Sequence, residues 1–164
     1  MGGRALGANR VMGDADWALA LLRVYVGFDL VPHFTEKLFA GPGPRMADVT
    51  AFAEFGLPVP LAFVILGGLC EIGGAVGIGL GLFTWIAGLG TALYFLIATL
   101  IGGHFGLGFI WASPGGGWEY PVLMMVFFLT FAVMGGGRLS LDAALDAARR
   151  FPQRLRPLAF RRGS

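Results

Sequence analysis

The chain has 164 residues, of which 56% are hydrophobic and 13% are charged, and its formal net charge at pH 7 is +2. Charged residues make up about a quarter of an ordinary soluble domain, so this composition excludes that class and favours one membrane domain. The single cysteine, Cys70, excludes an internal disulfide and a CxxC redox pair, and no nucleic-acid-binding module is present.

Residues 17–39 form the first apolar segment, which is expected to cross the membrane even though it contains ionisable residues. These residues are Arg23, Asp29, His33, Glu36 and Lys37. A charge near the bilayer centre costs about 2.5–3.5 kcal/mol, so such residues usually face a bundle interior or a wet cavity. At about 100° per residue the last four fall in one stripe, with Arg23 beside it. The first span therefore carries a polar face that other helices must cover.

The segment after the first span has apolar residues at helical spacing, among them Met46, Val49 and Phe52. This spacing predicts a short interfacial helix, and a plain loop is the alternative.

The next 47 residues, 57–103, are almost continuously apolar. One helix of that length would extend about 70 Å, more than twice the bilayer core of about 30 Å, so the segment must fold back on itself. A turn is expected near 79–84, with Thr84 as the N-cap of the following helix. The predicted spans are about 17–39, 59–81, 84–104 and 120–136.

A short helix is expected to begin after Ser140, with an apolar stripe that lies on the membrane surface. The predicted fold is thus an all-α integral membrane protein. It is a four-helix transmembrane bundle with an interfacial helix between spans 1 and 2 and a C-terminal amphipathic helix. The expected parts are a cytoplasmic N-terminal segment (1–16), a four-span domain (17–139) and a basic cytoplasmic tail (140–164).

Basic residues predict the orientation. Seven arginines lie between residues 138 and 162, whereas the loop between spans 3 and 4 has no Lys or Arg. The positive-inside rule then places both termini in the cytoplasm, and the arginines suit contact with anionic lipid.

The polar face of the first span is the main candidate site, together with Glu71, the only charge within 57–103. The candidate pocket comprises Arg23, Asp29, His33, Lys37 and Glu71. Glu71 needs a proton or a cationic partner, for which Arg23 and Lys37 are the natural choices. Two interpretations remain open: a proton-conducting or quinone-binding pocket, and a set of structural ion pairs.

A second candidate site combines His104 and Glu119 near the outer face. Trp111, Trp118 and Tyr120 are interpreted as interfacial aromatic anchors. Gly73, Gly77 and Gly81 repeat every four residues and predict a close helix contact. No HxxxH or ExxH spacing occurs, so no metal site is predicted.

Three sequence blocks resemble the DoxX family of small four-span membrane proteins. The first contains Arg23, Gly27, His33 and Lys37, and the second runs from 56–58 through Glu71 to the following glycines. The third comprises residues 116–121 and 135–142. The chain departs from the family pattern at Phe34, Trp85 and Gly136.

The resemblance implies a four-helix bundle in the cytoplasmic membrane. Related proteins are linked to thiosulfate:quinone oxidoreductase and to other membrane redox assemblies, usually as subunits. One hypothesis is therefore a subunit linked to quinone-dependent redox chemistry, with quinone as the possible cofactor. The other is a non-catalytic accessory subunit that packs against other membrane proteins of a larger respiratory or photosynthetic complex.

Overall fold

A computed structural model of the chain describes residues 13–149, and these fold into helices with no strand among them. The helices are α1 (Asp14–Leu38), α2 (Pro42–Glu54), α3 (Pro60–Leu80), α4 (Thr84–Ile101), a 3-10 helix (His104–Leu107), α5 (Glu119–Met134) and α6 (141–149). The predicted N-terminal segment and the basic tail lie mostly outside the described residues.

Three of these helices, α1, α3 and α4, are long and apolar enough to cross a membrane. Their bounds differ from the predicted ones by no more than one helical turn, so the prediction of an all-α membrane protein is confirmed. The helix expected between spans 1 and 2 is present as α2. The fourth apolar helix, α5, has 16 residues, or about 24 Å at 1.5 Å per residue, and is shorter than a full crossing usually requires.

Helix α1 packs against α3, and α4 packs against α5. The backbones of α1 and α3 touch at Gly27, where a Cβ atom would lie 2.8 Å from Ala75 O and from Gly79 Cα. The core between the four helices consists of large apolar side chains that are almost fully buried. It includes Val26, Leu30, Ile78, Phe95, Met124, Phe128 and Phe131.

The prediction that three glycines of the α3 segment form one helix contact is wrong. These glycines are Gly73, Gly77 and Gly81, and each has different surroundings. Gly77 does pack against Ala87 of α4, but Gly73 faces open space. Gly81 has φ +68° and ends α3 in the left-handed conformation, which glycine adopts without a Cβ clash.

The N-terminus of α4 is capped by a residue from a distant helix. Asp142 of α6 accepts hydrogen bonds from the amides of Phe83 (2.7 Å) and Thr84 (2.9 Å) and from the Thr84 hydroxyl (2.8 Å). The predicted N-cap role of Thr84 is therefore wrong, since Thr84 is the first helical residue and Asp142 satisfies the free amides. Partial burial alone would raise the pKa of Asp142, but the hydrogen bonds from Thr84 and Phe83 and the Arg23 charge together lower it.

Both ends of the described chain lie at one end of the bundle. Asp16 near the start of α1 forms a 3.2 Å ion pair with Arg138, which follows α5. The α3–α4 turn is at the same end, because the Asp142 amide donates to Gly81 O (2.9 Å). We call this the terminal end, and we call the opposite end, with α2 and residues 102–118, the loop end.

Replacing the capping carboxylate should weaken the terminal end. Asp142→Ala is expected to lower the free energy of unfolding by about 1 kcal/mol, as loss of an N-cap typically does. Because the folded pKa of Asp142 is lowered, its contribution is present above the unfolded pKa and is lost as the pH falls through the folded value. The variant should lack this loss of stability at low pH. Thermal unfolding in detergent at several pH values measures the difference. Asp146→Ala, on the exposed side of α6, is the control; equal destabilisation by both variants would contradict the capping role.

Candidate functional site

The polar residues of α1 separate into groups at different levels along the helix axis. Arg23, which is 1% exposed, lies toward the terminal end. Its guanidinium donates to Ile78 O at the end of α3 (3.2 Å) and to Leu139 O after α5 (2.5 Å). Arg23 therefore joins three parts of the chain there, and the structure does not bring it together with the other pocket candidates.

Lys37 and Glu71 form a buried ion pair toward the loop end. Their Nζ and Oε1 atoms are 3.0 Å apart, and their side chains are only 13% and 4% exposed. The Tyr94 hydroxyl of α4 donates to the same Oε1 atom at 2.7 Å. Of the two partners expected for Glu71, the structure selects Lys37. We call Lys37, Glu71 and Tyr94 the Glu71 cluster.

A second polar group connects α1 with α5. The Tyr120 hydroxyl donates to Asp29 Oδ2 at 2.5 Å, and His33 Nε2 lies 3.1 Å from the Tyr120 oxygen. A tyrosine hydroxyl has one proton, so His33 must donate the second bond through Nε2. The His33 and Tyr120 rings also stack, with centroids 5.9 Å apart. We call Asp29, His33 and Tyr120 the His33 cluster.

Tyr94 and Tyr120 are the site residues that sequence reasoning missed. Tyr94 lies within an otherwise apolar span, and Tyr120 resembles an interfacial anchor because it follows Trp118 and Glu119. Their hydroxyl partners lie 23 and 91 residues away in the chain, respectively. The available signal was chemical: a buried tyrosine hydroxyl usually needs a hydrogen-bond partner, and the buried carboxylates offered one.

Helix α2 covers the loop end of α1. Its Arg45 donates to the carbonyls of Lys37 (2.8 Å) and Leu38 (2.5 Å), which are free because α1 ends there. Asp48 follows one turn later on α2. Burial raises the pKa of Asp48, the Lys37 charge lowers it, and the Glu36 and Glu71 charges raise it. Asp48 therefore belongs to the electrostatic surroundings of the Glu71 cluster.

A groove between α2, α3 and α4 lies beside the Glu71 cluster. Its volume is about 410 Å³, and its walls are almost entirely apolar. Tyr94 is one of its few polar lining residues, and a Cβ atom at Gly67 would lie 3.2 Å from the Tyr94 hydroxyl oxygen. Ligand pockets with a few fixed polar groups on apolar walls commonly have volumes of about 300–1,000 Å³. The groove thus leads from the lipid-facing side of the bundle to a tyrosine that is bonded to a buried acid.

The outer pair, His104 and Glu119, lies at the loop end without direct contact. His104 Nδ1 lies 2.8 Å from Gly116 O, and its ring centroid is 5.3 Å from that of Trp111. Glu119 accepts a hydrogen bond from the Trp111 amide at 3.3 Å. His104 also lines the groove, so of these two residues it is the one connected to the Glu71 cluster. Across residues 13–149, no three or more His, Cys, Asp or Glu residues are grouped so as to hold a metal ion.

The fold defines a multi-pass α-helical membrane protein. Three of its helices are long and apolar enough to cross a membrane, an ion pair is buried between two of them, and Asp16 near the start of α1 pairs with Arg138 after α5. The DoxX family model matches residues 18–104, more than half of the chain, and the chain belongs to this family. The match includes α1 to α4 and thus the Glu71 cluster, whereas Tyr120 of the His33 cluster lies beyond it. No curated protein and no solved structure matches the chain.

Removing the Glu71 carboxylate should destabilise the protein through the charge that it leaves behind. Breaking a buried pair by removing one partner typically costs about 3–5 kcal/mol, and Lys37 is close to full burial. Glu71→Leu is therefore expected to reduce the folded yield and the unfolding temperature strongly, and Glu71→Gln to reduce them less. The double variant Lys37→Met/Glu71→Leu should recover part of the loss, because no unpaired charge remains.

Size-exclusion profiles and thermal unfolding in detergent measure these effects, with Glu36→Gln as an exposed control on α1. The pair does not stabilise the bundle if Glu71→Leu has the folded yield and unfolding temperature of the wild type. The same conclusion follows if the double variant is no more stable than Glu71→Leu alone.

Proposed function

We propose that this DoxX protein is a membrane subunit linked to quinone-dependent redox chemistry. The main supporting observation is the apolar groove that is lined in part by Tyr94, whose hydroxyl is bonded to buried Glu71. A quinone has an apolar tail that suits such walls and a polar head that needs a few hydrogen-bonding groups. When bound, it would supply the electron-carrying and proton-carrying chemistry.

The residues of this chain would bind and position the head group and hold protons near it. Tyr94 lines the groove, and its hydroxyl connects the groove to the Lys37–Glu71 pair. The His33 cluster connects to the groove through aromatic rings: Trp111 lies 5.3 Å from Tyr120 and 5.3 Å from His104. Arg23 belongs to the candidate pocket predicted from the sequence. We omit Arg23 from the proposed site because both of its hydrogen-bonded partners are at the terminal end.

A second candidate is a non-catalytic accessory subunit of a larger respiratory or photosynthetic complex. Two observations favour it. First, the polar contacts of both clusters are made within the chain, as is expected of contacts that only stabilise the fold. They are Lys37–Glu71, Asp29–Tyr120 and Tyr120–His33. Second, large apolar side chains, including Val133 at 88% exposure, are available for contact with lipid or with other membrane proteins.

For the membrane arrangement, we propose four crossings in the cytoplasmic (inner) membrane, with both termini in the cytoplasm and the basic tail on anionic lipid. The ion pair between Asp16 and Arg138 supports an even number of crossings. Reporter fusions at Gly43 and Gly116 should report outside, and fusions at Leu82 and after Gly163 should report inside. An outside signal after Gly163 would contradict this topology, and a matching signal at Gly116 and Gly163 would show that α5 does not cross.

The groove can be tested by filling it. Gly90 of α4 lines the groove, and a Cβ atom there would meet no atom within 4 Å. Gly90→Leu should therefore extend into the groove without disturbing the core. Quinone bound per purified protein is expected to fall several-fold in Gly90→Leu at unchanged thermal stability. His33→Ala should also lower it, while Tyr25→Ala, on the exposed side of α1, should not.

Unchanged quinone content in both Gly90→Leu and His33→Ala would reject the proposed site. Wild-type protein that is free of quinone but purifies with a stoichiometric membrane partner would support the accessory subunit instead.

A further inference from the structure

The loop that joins α4 to α5 exposes large apolar side chains where a connection in water would expose polar ones. They are Phe105, Leu107, Phe109, Ile110 and Trp111, and each is between 40% and 58% exposed. Residues 102–118 contain no Asp, Glu, Lys or Arg. Large exposed apolar patches commonly mark contact with a membrane or with another protein. We call residues 105–111 the apolar loop.

The two helices that this loop joins are shorter than the hydrocarbon core of a bilayer. Helix α4 has 18 residues and α5 has 16, or about 27 and 24 Å at 1.5 Å per residue. Both are anchored at the terminal end, where Asp142 caps α4 and Arg138, which follows α5, pairs with Asp16. In a core about 30 Å thick, their other ends stop inside the hydrocarbon layer and leave about 3–6 Å of it to the loop between them.

The hydrogen bonds of the loop suit surroundings with little water. The amides of residues 117–119 donate to the carbonyls of residues 108–110 at 2.9–3.1 Å, and the Trp111 amide donates to the Glu119 carboxylate at 3.3 Å. Nδ1 of His104 donates to Gly116 O (2.8 Å), since a carbonyl oxygen only accepts. Each unpaired backbone group costs several kcal/mol in lipid, so these bonds lower the cost of placing the loop there.

Helix α2, the other segment at the loop end, has the opposite character. It carries Arg45 and Asp48 and exposes the polar side chains of Thr50 and Glu54. It also follows α1, whose 25 residues extend about 38 Å and thus exceed the hydrocarbon core. Residues at the start of α2, such as Gly43, therefore lie nearer to water than the apolar loop does.

We propose that the apolar loop inserts into the lipid leaflet at the loop end, with Leu107 and Ile110 among the acyl chains and Trp111 near the head groups. Lipid is the occupant that the observations favour, because the loop has no charge and continues the apolar surface of two helices that end within the hydrocarbon layer. This inference rests on the crossing proposed for α5. It extends the expected anchoring by tryptophan to the whole loop, which completes the span that α4 and α5 leave short.

Spin labels on the full chain in phosphatidylcholine bilayers test the insertion. Cys70 is the only cysteine, so Ile110→Cys in a Cys70→Ala background carries a single label. Oxygen, which dissolves in lipid, should relax this label, whereas its collision rate with a water-soluble nickel chelate should be several-fold lower than that of Gly43→Cys. Gly43 is the matched control at the same end, since a Cβ atom there would meet no atom within 4 Å. Leu107→Cys is the second position if Ile110→Cys folds poorly.

A label at Val126→Cys, on the exposed side of α5, reports the crossing itself. Nickel access at Ile110 equal to that at Gly43, with Val126 protected, would overturn the insertion and leave the crossing of α5 intact. Nickel access at Val126 as well would contradict both. A label at Ile110 that neither oxygen nor nickel reaches would place the loop against a second copy of this chain, and would equally overturn its contact with lipid.

Discussion

The structure depends on the cost of placing ionisable groups within the membrane. Helix α1 carries these groups along one face, and each must be compensated by another part of the chain. Arg23 is compensated by two carbonyls that are available because one lies near the end of α3 and the other follows α5. Lys37 is compensated by a carboxylate from α3. The packing of α1 against α3 is therefore fixed by polar contacts at both ends and by the Gly27–Gly79 approach between them.

The same constraint explains which features could be predicted from the sequence. The spans follow from apolar length, and the pairing of Glu71 with a cation of α1 follows from the cost of its burial. The prediction of a single pocket failed at Arg23, because a helical stripe fixes the angle of a residue but not its depth. Arg23 and Lys37 are 14 residues apart, which is about 21 Å along the helix. Residues on one polar face of α1 thus contact opposite ends of the bundle.

The partners supplied by distant segments could not be read from local patterns. Tyr94, Tyr120 and Asp142 each bond to a residue on another helix, and their positions are fixed only by the assembled bundle.

The glycine-rich segment 135–137 shows how such a contact arises. Gly135 and Gly137 have φ of +70° and +69°, and a Cβ atom at Gly136 would lie 2.7 Å from the Thr84 hydroxyl. Small residues at this turn let the chain return across α4, so that Leu139 meets Arg23 and Asp142 caps α4.

The two ends of the bundle therefore differ in chemistry. At the terminal end, the Asp142 oxygens accept hydrogen bonds from the Phe83 and Thr84 amides at the start of α4. Two of the Arg23 nitrogens donate to carbonyls, whereas the buried Nε atom of Arg23 has no hydrogen-bond partner among the described residues. At the loop end, Asp48 and Glu71 each have one carboxylate oxygen without a hydrogen-bond donor within residues 13–149. An apolar groove there is lined in part by Tyr94, which is bonded to Glu71. The groove beside Tyr94, which is bonded to buried Glu71, is the physical reason to place the proposed function at the loop end. The hydrogen bonds of Arg23 and Asp142 at the terminal end join α1 to α3 and α6 to α4.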